Sequence, residues 1–320
     1  AGQSCPGLLA LLRVGKRDYR HVTAADLGFA VGPRLNAAGR LEDMSVGIRC
    51  LLTDDDREAE QLATQLDELN RQRKAMQETM QNEALGQVKV LLESLDAELP
   101  FSLCLHDDRW HQGIVGLVAS KIKEATHRPV IAFAPEGDES LLKGSARSIP
   151  GLHIRDVLAH VDATSPGLIR AFGGHAMAAG LSLDATALDE FQAQLEQSVQ
   201  HFLDGEVPSA ELMTDGELDA RDLTLEFARQ LADLGPWGQR FPEPMFEGAF
   251  EVIDQRVVGG AHLKLVLRPL ESSELIDAIA FGKLPEDLQG QHKVRLVYKL
   301  DVNHFRGESS AQLMVEHIVN

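Results

Sequence analysis

Phe172-Gly173-Gly174-His175-Ala176-Met177-Ala178-Ala179-Gly180 is the stretch on which the reading of this chain turns. Two adjacent glycines let a backbone approach a ligand and aim N–H groups at an anion with no Cβ in the way. His175 adds a donor for a phosphate oxygen, and a bound phosphate favours its protonated form. Ala176, Ala178, Ala179 and Gly180 keep the following element thin. A bare Gly-Gly-His is more often a tight turn with a satisfied histidine. The full nonapeptide points instead to a nucleic-acid phosphate clasp in an α/β domain.

Working outward, Phe101–Leu105, Pro129–Ala134 and Leu141–Ile149 read as strands, and another runs from the glycine loop through Leu183. Helical spacing covers Gly113 to about Ala125, 153–161 and 186–203. Strands alternating with helices predict an α/β domain with a mixed sheet over 99–203. Upstream, Asp54, Asp55 and Asp56 suit a helix start. Apolar residues at Leu62, Leu66, Leu69, Met76, Met80, Leu85, Val88 and Leu92 then predict one long connector helix over 54–98. Residues 8–50 hold short apolar runs and a Gly/Pro-punctuated stretch, Gly32-Pro33-Arg34-Leu35-Asn36-Ala37-Ala38-Gly39-Arg40. Downstream, Asp204–Ala210 reads as a linker and Leu223–Leu234 as a short helix. Five β-like segments with Gly-rich turns follow within 211–320 and suggest an OB-like barrel. The expected fold class is therefore α/β plus all-β.

Three further constellations could hold phosphate. In Arg109-Trp110-His111-Gln112-Gly113-Ile114-Val115-Gly116, His111 falls between a strand and a helix N-terminus, where ligands of open α/β sheets bind. A plain turn with Trp110 in the core is the equal alternative. In Lys143-Gly144-Ser145-Ala146-Arg147-Ser148, strand alternation puts Ser145 and Arg147 on one face. A hydroxyl beside a guanidinium fork suits a terminal phosphate. Asn36 and Arg40 could line a cleft, with a surface loop as the bland alternative. The sequence carries no Gly-x-x-x-x-Gly-Lys-Ser/Thr, no Gly-x-Gly-x-x-Gly and no His-Glu-x-x-His. No cluster of Asp and His offers a metal site, so the chain holds phosphate-binding candidates without an evident catalytic centre.

Bulk properties set bounds. A chain of 320 residues suggests two or three domains. Apolar content of 44% with 25% charged residues describes a globular protein. No apolar run approaches the roughly 18 residues of a membrane span. The N-terminus lacks a signal peptide's pattern and begins without Met, as a piece of a longer protein would. Cys5, Cys50 and Cys104 are odd in number and widely spaced, which suggests a reducing compartment, by default the cytoplasm. The net charge of −18 opposes a sequence-blind coat on nucleic acid. The acid is concentrated, with 12 acidic against 5 basic residues over 51–100 and 11 against 3 over 201–250. The first 50 residues carry 7 basic against 4 acidic, a balance compatible with a local cleft for one strand.

Taken in order, the motifs at 32–40, 110–116, 144–148 and 173–180 resemble the later motifs of the RecJ family. Its members are bacterial 5′→3′ single-strand-DNA-specific exonucleases of the DHH phosphoesterase superfamily. The resemblance implies that residues 1–53 end a DHH domain and that 99–203 form a DHH-associated substrate-binding domain. It implies phosphate contacts by Gly173, Gly174, His175, Ser145, Arg147, Asn36, Arg40 and His111. In the barrel it implies strand contacts by Lys264, Arg268, Lys293, Arg295 and Lys299. Phe281, Tyr298 and Phe305 are the stacking candidates there, although core packing explains aromatics equally well. The family's Asp-His-His signature and its Mn²⁺ or Mg²⁺ ligands have no counterpart in this sequence, so no metal ligand or catalytic residue is assigned. Implied partners are single-stranded DNA with a 5′ end and single-strand-binding protein. The alternatives are a non-catalytic RNA, tRNA or single-stranded-DNA-binding module and a small-nucleotide phosphoesterase.

Overall fold

The computed structural model describes residues 5–94, 99–206, 212–238, 241–305 and 307–319. The chain divides into two compact units, Ala1–Ala210 and Glu211–Asn320. Positions 95–98 of the expected connector, 207–210 of the expected linker and 211 at the expected barrel boundary lie outside the described residues.

The first unit begins with helices α1 (Pro6–Val14), α2 (Ala24–Asp26), α3 (Gly32–Leu41) and α4 (Ser45–Leu52). Proline opens α1 and stands in the first turn of α3, where its missing N–H costs nothing. The Gly/Pro-punctuated stretch is thus a helix and not a loop. Helix α1 packs on α4 backbone to backbone: a Cβ on Gly7 would stand 1.7 Å from the Cys50 carbonyl oxygen. Asp55 caps the next helix, its Oδ1 accepting from the Arg57 and Glu58 amides at 2.7 and 3.0 Å. That helix, α5 (Asp56–Ser94), is 39 residues long and at 1.5 Å per residue spans about 60 Å. Leu62, Leu66 and Leu69 close a core with α1, α3 and α4. Met80, Ala84 and Val88 belong to a second core under the sheet.

The sheet is built from β1 (Leu103–His106), β2 (Val130–Glu136), β3 (Asp138–Arg147), β4 (Ala171–Gly174) and β5 (Ala178–Asp184), with helices α6 (Val115–Thr126), α7 (Ile154–Thr164) and α8 (Leu188–Phe202). Strand order is β1-β2-β3-β5-β4; β1 and β2 are parallel and the other pairs antiparallel. Alternation sorts each strand between two faces. Ile131, Phe133, Leu142, Ala146, Leu181 and Leu183 point to the core shared with α7 and α8, where Phe133 meets Phe191 edge to face at 5.8 Å. Burying such a side chain contributes about 1.5–3 kcal/mol. Leu103, Leu105, Val130, Ala132 and Ala134 point the other way, against α6 and α5. The glycine motif, expected as a loop leading into one strand, is a β4–β5 hairpin.

The second unit opens with α9 (Leu225–Leu234), capped by Thr224 Oγ1, which accepts from the Phe227 amide. Strands β6 (Phe246–Val258), β7 (His262–Pro269), β8 (Ile276–Phe281), β9 (Lys293–Phe305) and β10 (Glu308–Val319) close a barrel in the order β10-β8-β7-β6-β9. Only β8 and β10 run parallel. Leu263, Leu265, Leu267, Ala278, Ala280, Leu296 and Leu313 fill the interior. Among the described residues no helix is long and apolar enough to cross a membrane.

Candidate nucleic-acid phosphate site

Register across the sheet assembles the motifs that lie far apart in sequence. Residues opposite one another share a face, so one row runs Ala132, Ser145, Gly180, Gly173 from the sheet's middle to its edge. The row beside it runs Val130, Arg147, Ala178. Helix α6 covers the first two strands of these rows and stops there. Beyond β3 the floor is bare: Gly173 and Gly180 are exposed. A Cβ on Gly173 would meet nothing within 4 Å, and one on Gly180 only the Gly144 carbonyl oxygen at 3.9 Å. Neither glycine is needed for packing or for a left-handed backbone. Both instead leave an open ledge. Gly174 is different, with φ +148° and a hypothetical Cβ 2.5 Å from Ala178 backbone, so the turn itself requires it.

The ledge is walled by Ser145 and Arg147. Arg147 is half-buried; its Nη1 donates to Ser145 Oγ at 2.9 Å and its Nε to Ser120 Oγ at 3.1 Å. Burial, and then the charge of Arg40, push its guanidinium pKa below the ordinary value. Gly116 makes room: a Cβ there would fall 2.6 Å from Arg147 Nη2 and 2.8 Å from Ser145 Oγ. The hairpin tip is pinned alongside. The Ala176 carbonyl accepts from the Ile154 amide at 2.9 Å and the Met177 carbonyl from the Ser148 amide at 3.0 Å. His175 is exposed at this tip, and its own amide donates to the Ala178 carbonyl.

The start of α6 closes the site from another side. His111 Nδ1 accepts from the Gly113 amide at 3.1 Å, so its neutral ring carries the proton on Nε2. Trp110 is core, as the alternative reading had it, with Nε1 donating to Glu83 Oε2 at 2.8 Å. Arg109 ties the same loop to Glu83 and Asp107, and holds the Asp107 carboxyl down to about 2. Arg40 reaches across from α3, its Nη1 donating to the Gly113 carbonyl at 3.0 Å. Asn36 lies one turn earlier on α3 and is exposed. Arg34 is spent on structure, bonding Asp67 and the Ala30 carbonyl.

Ser120 and Arg73 stand out in the structure and not in the sequence pattern, while Gly116 gives the close packing its motif suggests. Arg73 lies on the inward side of α5 between its two cores, and Met76, read as part of the apolar stripe, is exposed. The seven-residue step from Leu69 to Met76, the longest in the apolar series, is the signal that marks the place. Among the described residues, no group of three or more His, Cys, Asp or Glu side chains converges.

The barrel requires corrections. Tyr298 is 1% exposed and packs on Phe246 and Phe250 in the interior, so it cannot stack on a base. Burial drives its phenol pKa up. Lys264 pairs with Asp277, Arg268 with Glu251, Arg295 with Glu247, and Lys299 with Glu243 and Glu316. Each of these four cations, expected to meet a strand, is ion-paired with a carboxylate of the same unit. Lys293 is exposed beside Glu251. Phe281, 55% exposed against His262, and Phe305, 63% exposed, present ring surface to solvent.

Comparison with known proteins agrees with this architecture. The DHHA1 domain model matches residues 87–201 and the RecJ OB domain model residues 214–317. Over 320 residues the chain is 51% identical to the single-stranded-DNA-specific exonuclease RecJ of Dickeya dadantii, covering 99% of this chain and 55% of that protein. The chain belongs to the RecJ family. It spans about half the length of the curated RecJ relatives it matches. Crystal structures of Thermus thermophilus RecJ with Mg²⁺ and with Mn²⁺ each superpose with a TM-score of 0.79 at 28% identity. They cover 99% of this chain and 46% and 44% of the respective RecJ chains.

Proposed function

We propose that this chain is the substrate-binding portion of a metal-dependent 5′→3′ single-strand DNA exonuclease of DNA repair and recombination, working in the cytoplasm. In this reading residues 1–53 end a DHH phosphoesterase domain, 54–98 connect, 99–203 grip the 5′ end and 211–320 hold the strand. The observation that carries it is the glycine ledge between Ser145, Arg147 and the His175 hairpin. Two glycines that the fold does not need leave a backbone surface open beside a half-buried arginine. A phosphate seated there accepts from Arg147, Ser145 and His175, while Asn36, Arg40 and His111 approach from α3 and the α6 N-terminus. The chain orients the 5′ end, and Mg²⁺ or Mn²⁺ ligands reside on a portion of the protein outside it.

The barrel supports a strand over a small nucleotide, since exposed Phe281 and Phe305 suit bases stacked one after another. The test is equilibrium binding of the purified chain to single-stranded DNA, RNA and tRNA, with 5′-phosphate or 5′-hydroxyl ends, at low and high salt. Weak, salt-sensitive binding that favours 5′-phosphorylated DNA, lost in Arg147→Ala and without cleavage, is expected. Preference for tRNA identifies a non-catalytic RNA module instead. Release of mononucleotides by the chain alone would refute the assignment of the catalytic metals elsewhere.

A further inference from the structure

The inward side of α5 changes character midway. Leu62, Leu66 and Leu69 serve one core and Met80, Ala84 and Val88 the other. Between them the inward positions are Asn70, Arg73 and Gln77. Asn70 is 3% exposed, an unusual burial for an amide. Its Oδ1 accepts from Arg73 Nε and Nη2 at 3.3 and 3.2 Å, and Gln77 Oε1 accepts from Arg73 Nη1 at 2.8 Å. Both acceptors are neutral. They fix the guanidinium without cancelling its charge.

Arg73 is not alone in this. Arg40 donates to a carbonyl and Arg147 to two hydroxyls and a carbonyl. None of the three has a carboxylate among the ion pairs of the described residues. That is a selective arrangement in a chain with 49 acidic and 31 basic residues, where Arg34, only six positions before Arg40, takes Asp67. Arg40 is near enough to both others that its charge, after burial, depresses their guanidinium pKa values. Arg40 repels both of the other part-buried guanidinium groups, which costs folding free energy unless an anion enters. A terminal phosphate monoester carries close to two negative charges at neutral pH and a phosphodiester one. The monoester offsets more of the repulsion.

We propose that Arg73, fixed by Asn70 and Gln77, is a third phosphate-binding guanidinium beside Arg40 and Arg147, and that the three select a dianionic terminal phosphate. This rests on the phosphate-ledge reading above and adds a residue and a selectivity to it.

The experiment measures anisotropy of three 3′-labelled oligonucleotides of one sequence, ending 5′ in phosphate, methyl phosphate or hydroxyl. Wild-type chain is expected to bind them in that order. Arg73→Gln is expected to reduce the advantage of phosphate over methyl phosphate about tenfold, and Arg73→Lys to restore part of it. With repulsion relieved, the DNA-free thermal midpoint of Arg73→Gln is expected to equal or exceed wild type. An unchanged phosphate advantage in Arg73→Gln, while Arg147→Ala abolishes it, overturns the role of Arg73 and leaves the ledge standing. A lowered midpoint in Arg73→Gln also overturns it, because the arginine would then be structural cement. Equal binding of all three ends by wild-type chain removes the ledge reading and this inference together.

Discussion

Gly180→Ala separates what the fold needs from what a ligand needs. A Cβ at this position meets only the Gly144 carbonyl oxygen, at 3.9 Å, and the backbone is not left-handed. The methyl group therefore fits, and replacing a strand glycine narrows the unfolded ensemble, worth about 0.4–1 kcal/mol of stability. For a unit the size of Ala1–Ala210 that raises the midpoint by about 1–4 °C. Binding moves the other way. An oxygen resting on the glycine backbone must retreat about 1 Å to clear a methyl, enough to take one charge-assisted hydrogen bond out of range. That loss costs about 1.5–3 kcal/mol, or roughly a 10- to 150-fold weaker Kd. Differential scanning fluorimetry and anisotropy with a 5′-phosphorylated oligonucleotide, both at low salt, read the two effects on one preparation. A stabilised variant that binds like wild type would refute the ledge as a ligand surface. A destabilised one would refute the claim that the fold does not need this glycine.

Gly113→Ala should act oppositely, because its Cβ would stand 2.2 Å from the Arg40 backbone carbonyl; urea unfolding should show a loss of about 1–3 kcal/mol. In the barrel, Phe281→Ala should weaken strand binding by about 1–3 kcal/mol with an unchanged midpoint. Tyr298→Ala should instead cost the fold about 3–5 kcal/mol, and circular dichroism melts distinguish the two. Carbon-detected NMR should find the Asp107 carboxyl titrating near pH 2 and returning toward about 3.9 in Arg109→Ala. Because this pKa is depressed in the folded state, its contribution to stability is complete above about pH 4 and is lost as pH falls through about 2.

Periodicity made the architecture legible, and missing cross-strand information hid the rest. The four phosphate motifs were visible because glycines and paired donors stand out one residue at a time. Helix α3 was not, since Gly32, Pro33 and Gly39 are residues that usually break helices; Pro33 escapes by standing in the first turn. The hairpin at His175 depends on Gly173 pairing Gly180, a partnership that only the sheet discloses. Tyr298 could have been placed correctly, because Val294, Leu296, Tyr298 and Leu300 alternate and all point inward. The barrel cations could not, because Arg268 meets Glu251 across β6 and β7, 17 residues apart in sequence.

Those pairings explain how a chain of net charge −18 can carry a phosphate site. Surface pairs such as Arg268 with Glu251 are worth about 0–1 kcal/mol each, so their main effect is to remove charge from the field a ligand meets. Arg268→Ala should accordingly change strand affinity little. Among the described residues, Arg40, Arg73 and Arg147 are held by amides, hydroxyls and carbonyls that leave the charge intact. Local anion attraction then coexists with a repulsive global field. In the proposed function the terminal phosphate is drawn to the arginines, while the barrel meets the strand through exposed ring surface and not through unpaired cations. The salt dependence follows from this arrangement. Few phosphates are neutralised, so the slope of log Kd against log salt should be shallow, about that of two or three contacts. A slope near that of a strand-coating protein would place the binding energy along the backbone and contradict an end-directed grip.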